Sequence, residues 1–377
     1  MHCLPAAGVH GEGCLRTRAI GAGTPTRDAP TAVKVRSNRV LAGALALALG
    51  AVTLAACSGS GSGSGANAIT LYSGQHVQTT QSLVAAFEQK TGITVNLRSD
   101  DEDVLAQQIV TEGAHSPADV FFTENSPPLQ YLASKDLLAP VNPSTLANGQ
   151  SKYDSPDGTW VGVSARVSVM VYNTSLLRPN QLPTSAMQLA DPAWKGKIGL
   201  AGGETDFQPI VTSVARAHGT AAAETWLRAI KANATSHLYP DNEALADEVN
   251  RGQVALGIIN QYYWYRQQAE LGASNMHSAI AHFAPKDVGY IVDVSGAGVL
   301  KSSSNQADAQ KFLAFLTSVQ GQQIIAHSNS FEYPINSGVT TAKPETPFDQ
   351  LQPNPISIAE LGTGAEAIEL LQEAQLL

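Results

Sequence analysis

In "INQYYWY", residues 259–265, two tyrosines stand side by side at the start of an aromatic run that continues through Trp264 and Tyr265, in a 377-residue chain that is only 6% aromatic. Such a run can fill a core. On a regular helix or strand, however, neighbours point in different directions, so Tyr262 and Tyr263 could not share one packing site there, whereas on a bent backbone their phenols could converge on one ligand. Two further stretches end strand-like patterns with ionisable groups: "LYSGQH" brings His76 and "FFTENS" brings Glu124. The ends of strands are where α/β folds place their ligands. By residue type alone, an isolated His or Glu in such a place is more often solvated or hydrogen-bonded, and a Tyr pair more often packs.

The elements around these residues read as a βαβ rhythm. From residue 68, "AITLYSG" reads as a strand, "QTTQSLVAAFEQKTG" as a helix stopped by Gly92, and "ITVNLRS" as a strand with Ile93, Val95 and Leu97 on one face. A helix over 101–113, a buried strand over 118–125 and a helix over 126–138, with Ser126 as N-cap before Pro127, continue the alternation. The Val-rich run 160–174 is extended, a strand restarts in "DPAWKGKIGLAGG", and helices over 206–219 and 221–233 open a second α/β unit.

The length and the 43% hydrophobic content suit two domains better than one. Lys34, Arg36 and Arg39 precede the apolar run 40–57, which ends in Leu54-Ala55-Ala56-Cys57. This pattern reads as an export signal, and its end resembles a bacterial lipobox that would leave Cys57 as a lipidated first residue. A transmembrane helix is the rival reading, though the run is short for a bilayer core. Residues 1–33 fit neither an n-region nor a folded element, so translation starting at Val33 or Val35 is an alternative. Residues 57–67 form a lipidated cysteine and a Gly/Ser tether.

Without residues 1–56 the chain keeps 17 basic and 30 acidic side chains, a net charge of −13. That field disfavours nucleic acid and favours cationic ligands. Cys57 would then be the only cysteine, which leaves no internal disulfide and no cysteine metal site. Enzyme motifs are missing: in "GAGVLKS" Leu300 stands before Lys301 where a phosphate loop needs glycine, and no His-Glu-x-x-His or dinucleotide fingerprint occurs.

The three stretches, in this order, resemble the periplasmic ferric-iron-binding proteins, substrate-binding components of iron(III) ABC importers, whose pattern is roughly Y-x-G-Q-H, F-x-T-E and N-x-Y-Y-W-Y. The likeness extends through "FEQKTGI", "PADVFFTE", "WKGKIG", "SGAGVLK" and "NQADAQKF", covering about residues 68 to 340. It implies a two-domain α/β periplasmic-binding-protein clamshell of type II-like architecture with its ligand in the interdomain cleft. The first lobe would comprise 68–167 plus 294–342 and the second 168–293 plus 343–377, with hinge strands near 164–170 and 290–296. It further implies Fe(III) as transported ligand, held by His76, Glu124, Tyr262 and Tyr263, with Asn260 and Asn242 helping to orient a bound anion and Trp264 and Tyr265 packing behind the site. The expected partners are the permease subunits of an ABC importer and, through Cys57, the outer face of the cell membrane, the protein itself being monomeric and not an enzyme. The chemistry agrees, since phenolate and carboxylate oxygens suit a hard, highly charged ion, and such a cation is what would keep two phenols ionised at neutral pH.

The chain departs from the resemblance in "GGETDFQP", residues 202–209, where relatives place small residues around a synergistic phosphate. Glu204, Thr205 and Asp206 stand there, and Asn125 stands where a Gln often binds the anion. Three outcomes are open: the acids face away and cap a helix, carbonate binds with Arg166 as its partner, or a protein carboxylate supplies the missing oxygen. Two rival functions also stay open, an aromatic cage for an organic cation such as thiamine or a polyamine, and a cell-surface enzyme on the same scaffold.

Overall fold

The computed structural model describes residues 67–336, 338–341 and 345–377. The expected export signal, Cys57 and most of the tether lie outside the described residues. Among those described, no helix is long and apolar enough to cross a membrane.

The described residues form ten strands: β1 (Ala68–Ser73), β2 (Thr94–Ser99), β3 (Val120–Thr123), β4 (Leu138–Ala139), β5 (Trp160–Asn173), β6 (Ile198–Gly199), β7 (Leu256–Asn260), β8 (Ser278–Ala281), β9 (Val292–Leu300) and β10 (Tyr333–Pro334). They run in the order β2-β1-β3-β9-β5-β7-β6, with β4 on β9 and β10 and β8 on β5. The strands β2, β1 and β3 are parallel and are joined through helices, as right-handed crossovers require.

β5 belongs to two sheets. Its residues Trp160–Val167 pair with β9, and its residues Ser168–Tyr172 pair with β7. All fourteen of its residues are buried, which explains the unbroken Val-rich run where a half-exposed strand would alternate. One strand therefore carries the chain from the first sheet to the second, with the change of partner falling between Val167 and Ser168. This is the mixed α/β, two-lobed architecture expected from the sequence.

Helices Gln306–Leu316 and Val319–His327 pack with Val77–Thr91 on the first sheet, where Phe87 meets Phe312 edge-on at 5.0 Å. Helices Gln208–His218 and Thr220–Ala234 cover the second with Trp226 fully buried. Helix Asn242–Asn250 lies close on β6 and β7 because Gly199 and Gly257 leave room for Leu245: a Cβ on Gly257 would come within 2.8 Å of that side chain. That close approach fixes where Asn242 sits.

Two local expectations change. Asn125, not Ser126, occupies the N-cap of helix Ser126–Ser134, because both Pro127 and Pro128 fit its first turn with Ser126 already inside. The helix also stops four residues earlier than its apolar pattern suggests, since Asp136 turns left-handed at φ 60° and Leu138 is taken up by β4 against β9.

Candidate functional site

The candidate residues lie at the carboxyl ends of β1, β3 and β7. β1 ends at Ser73, and Gly74-Gln75-His76 leads into helix Val77–Thr91. The Gln75 carboxamide accepts the His76 N–H at 2.7 Å, so the imidazole is free of any capping duty. Its Nε2 is buried without a hydrogen-bond partner and lies 3.5 Å from Glu124 Oε1. Burial lowers the His76 pKa to about 4, against the opposing pull of Glu332, so at neutral pH the ring is uncharged and its lone pair available.

Glu124 follows β3 directly, and across the cleft its Oε1 accepts the hydroxyl of Tyr262. The two tyrosines occupy the first turn of helix Gln261–Leu271, immediately after β7. They do share one place, contrary to the expectation for neighbours in a regular element: their rings lie 4.3 Å apart at 37°. In a first helical turn the side chains lean back toward the N-terminus, here over the strand end, which lets adjacent rings touch. The edge of His76 meets Tyr262 at 5.0 Å. Burial, then the charges of Asp206 and Glu124, raise both phenols well above the usual tyrosine range.

The departure in "GGETDFQP" becomes concrete in the turn Thr205–Phe207. Asp206 does not cap a helix. Its Oδ2 lies 2.9 Å from the Tyr262 hydroxyl oxygen and accepts the Asn242 amide at 3.3 Å, while Oδ1 accepts Asn125 Nδ2 at 3.1 Å. Asn260 lines the same small cavity as Asp206 and Asn242. Thr205 is half-buried in the turn. Glu204 accepts the backbone N–H of Asn242 at 3.2 Å, and its pKa is pushed up to about 8 by burial and then by Asp206.

Arg166 sits on β5 one residue before the change of sheet, with its side chain 1% exposed. Its Nη2 donates to Glu332 at 2.6 Å, whereas Nε and Nη1 have no partner. Glu332 also accepts from Ser164 Oγ at 3.1 Å and from Gln75 Nε2 at 3.4 Å, linking Arg166 to the loop of His76. Trp264 donates to Ser278 Oγ at 3.1 Å and Tyr265 stacks on Phe331 at 5.8 Å, so these two rings do pack away from the phenols of Tyr262 and Tyr263.

Above His76, Glu124 and Tyr263 opens a cleft of about 480 Å³ whose wall also includes Asp100, Glu204, Asp241, Glu243 and Arg266. Among the described residues no group of three or more His, Cys, Asp and Glu side chains is arranged to hold a metal ion. Sequence reasoning missed Glu102, Gln261 and Glu332, acid or amide side chains buried beside the site, because single Glu and Gln residues in helices and loops carry no local signal.

A family model for bacterial extracellular solute-binding proteins matches residues 115–358. The chain is 38% identical to the Fe(3+)-binding periplasmic protein of Serratia marcescens, over 82% of this chain and 90% of that one. It is 36% identical to the major ferric iron-binding protein of Neisseria meningitidis serogroup B, over 81% and 92% respectively. Among solved structures, iron-bound HitA from Pseudomonas aeruginosa superposes with a TM-score of 0.77 at 39% identity, covering 82% of this chain and 99% of that chain. A Trichodesmium protein in complex with iron and citrate gives 0.73 at 32% identity, covering 82% and 100%. With its fold, its cleft and these relatives, the chain belongs to the bacterial extracellular solute-binding protein family and, within it, to the periplasmic ferric-iron-binding proteins.

Proposed function

We propose that this protein captures Fe(III) in the cleft between its lobes, using His76 Nε2, Glu124 and the phenolates of Tyr262 and Tyr263, with Asp206 supplying a carboxylate where relatives bind an external anion. The observation that carries this reading is the position of the Tyr262 hydroxyl, which meets Glu124 on one side and Asp206 on the other, beside the unpartnered Nε2 of His76. Two carboxylates, two phenols and a neutral imidazole form an oxygen-rich set suited to a hard trivalent ion. Four ionised oxygens groups against three positive charges leave the centre slightly anionic, with buried Arg166 nearby.

An added phosphate would meet Asp206 and Glu204, and the Asn125 and Asn242 amides that could hold it already hold Asp206. Carbonate at Arg166 is disfavoured for a related reason, since Glu332 occupies one edge of the guanidinium. The close packing of Tyr263, tilted, and His76, edge-on, against Tyr262 argues against an aromatic cage, which needs open ring faces toward the cation.

In this reading the lobes comprise 68–167 plus 294–342 and 168–293 plus 343–377. Glu124 and His76 come from the first and Tyr262, Tyr263 and Asp206 from the second. Metal then favours the closed form through contacts that exist only when the lobes meet. The closed, lipid-anchored monomer hands its iron to an ABC importer. Mixing apo protein with a ferric chelate tests the metal reading: a red-orange charge-transfer band is expected, abolished by Tyr262→Phe with Tyr263→Phe. A wild type that stays colourless and retains no iron overturns it.

A further inference from the structure

Glu102, the first residue of helix Glu102–Glu112, is a 4% exposed acid outside the proposed metal set. Its Oε2 accepts the backbone N–H groups of Glu124 at 2.7 Å and Asn125 at 2.9 Å, and its Oε1 accepts Asn125 Nδ2 at 2.9 Å. The loop of His76 is clamped on the same residue: a Cβ on Gly74 would lie 2.4 Å from Glu102 Cβ and 2.7 Å from its Cα, so only glycine lets the two segments approach. Asn125 Nδ2 has a second acceptor, Asp206 Oδ1 at 3.1 Å, contributed by the opposite side of the cleft.

We infer that Glu102 is a positioning residue that fixes Glu124 beneath the cleft and sets the orientation of the Asn125 amide, so that its NH2 faces Asp206 when the lobes meet. An amide has two ends. In the observed orientation both N–H groups of Asn125 reach carboxylates, while its Oδ1 is buried with no hydrogen-bond partner. Turning the amide over would set that oxygen against Glu102 and Asp206 at once. The ionised Glu102 carboxylate can only accept, and with Oε2 taken up by two backbone N–H groups its Oε1 selects the NH2 end of the Asn125 amide. The loop carrying Glu124 and the donor that grips the opposing lobe thus depend on one acid.

Glu102→Gln separates positioning from bulk. The amide oxygen can keep both backbone N–H groups, but its NH2 then meets the NH2 of Asn125. Relief requires turning Asn125, which points its oxygen at Asp206. For the iron-binding role this inference rests on the metal reading above. The experiment compares loss of Fe(III) to a competing chelator from wild type, Glu102→Gln, Asn125→Ala and the double variant, with thermal melts to check folding and solution scattering of the metal-free proteins to read closure. Glu102→Gln is expected to release iron about tenfold faster, as loss of one charge-assisted hydrogen bond across the cleft implies, with the phenolate band unmoved and the metal-free protein more open. In the Asn125→Ala background the same substitution should change release less than about twofold, because no amide is left to turn. Release as slow as wild type overturns the inference, and so does an equally large effect in the Asn125→Ala background. A wild type without the phenolate band defeats the iron reading alone, and the role of Glu102 in closure is then decided by the scattering of the metal-free variants.

Discussion

The Tyr262 hydroxyl lies 2.9 Å from Asp206 Oδ2 and also donates to Glu124, so one phenol, on the helix that follows β7, links the carboxylate of the turn Thr205–Phe207 to the one that follows β3. Two contacts between three acidic groups need two hydrogens, and the phenol supplies one. A carboxyl proton has to supply the other, in keeping with the raised pKa values of Glu124 and Asp206, which burial causes first. A trivalent cation can replace both protons and join all three oxygens. Asp206→Asn should therefore weaken Fe(III) binding at least about tenfold in anion-free buffer, and added carbonate or phosphate should restore part of the loss. Wild-type binding should be insensitive to those anions. Titration with a ferric chelate, with and without each anion, checks both, and a wild type that requires an anion would count against Asp206 as its substitute.

The tyrosines should not be equivalent. Tyr262 makes the contacts to Glu124 and Asp206, whereas Tyr263 stacks on it and borders the open cleft. Tyr263→Phe is expected to remove roughly half of the charge-transfer absorbance and leave the metal-free closed contacts in place. Tyr262→Phe should remove a similar share of the colour and also loosen the metal-free cleft. Absorbance per bound iron, together with solution scattering of each apo variant, separates the two.

Much of this arrangement was legible in the sequence because strand ends announce themselves. His76, Glu124 and the Tyr pair follow β1, β3 and β7, and each strand is marked by an apolar run that stops at a polar residue. Their supporting groups are different in kind. Gln75 and Glu332 are 257 residues apart yet share a hydrogen bond, and Glu102 meets Asn125 from an ordinary helix start. No local pattern distinguishes these acids from solvated ones, since folding alone removes their water. The inward turn of Asp206 was likewise beyond sequence, because it depends on Asn125 and Asn242, from two separate elements, both offering amides to one carboxylate.

Acid–base linkage gives the metal-free protein a definite slope. Glu204 rises from an ordinary 4.5 to about 8 when folded, so its stabilising contribution is complete below pH 4.5 and is lost as pH climbs through about 8. His76 falls from 6.5 to about 4, so its contribution is complete above pH 6.5 and is lost as pH drops through about 4. The two oppose each other below pH 6.5, and above it the loss from Glu204 continues in the same direction as that of the other buried acids with raised pKa values, Glu102, Glu124 and Asp206. The melting temperature of the metal-free protein should then fall by a few degrees between pH 6.5 and 8, and Glu204→Gln should make that fall shallower. Scanning calorimetry at stepped pH, in the presence of a chelator, reads it directly.

Arg166 and Glu332 predict a stability effect that can be read in the metal-free protein. Both side chains are 1% exposed, so removing one partner strands a charge in the interior. Glu332→Ala should cost about 3 to 5 kcal/mol. Glu332→Gln keeps an acceptor for Arg166 and should cost less. Denaturant unfolding of the apo proteins measures both, and equal losses would mean that the charge of Glu332 contributes nothing beyond its shape.

Gln261 stands where the phenols meet the point at which β5 changes partner. Its Oε1 accepts the N–H of Val167, the last β5 residue paired with β9, at 2.8 Å, and its Nε2 donates to the Phe331 carbonyl at 3.0 Å. Phe331 holds a φ of 56°, a conformation costly for an aromatic residue and kept only when its surroundings enforce it. One side chain therefore ties two chain segments to the residue that precedes Tyr262. Gln261→Leu keeps the volume but removes the acceptor of the buried Val167 N–H and one donor to the Phe331 carbonyl, a loss of about 1 to 3 kcal/mol. Because the helix start would then be free to shift, the charge-transfer band should broaden and iron should leave faster. Gln267, buried on the same helix and bonded to Asp247 at 2.6 Å, supplies the control: Gln267→Leu should lower stability without altering the band. If both variants change the spectrum alike, the coupling runs through the helix as a whole and not through Gln261.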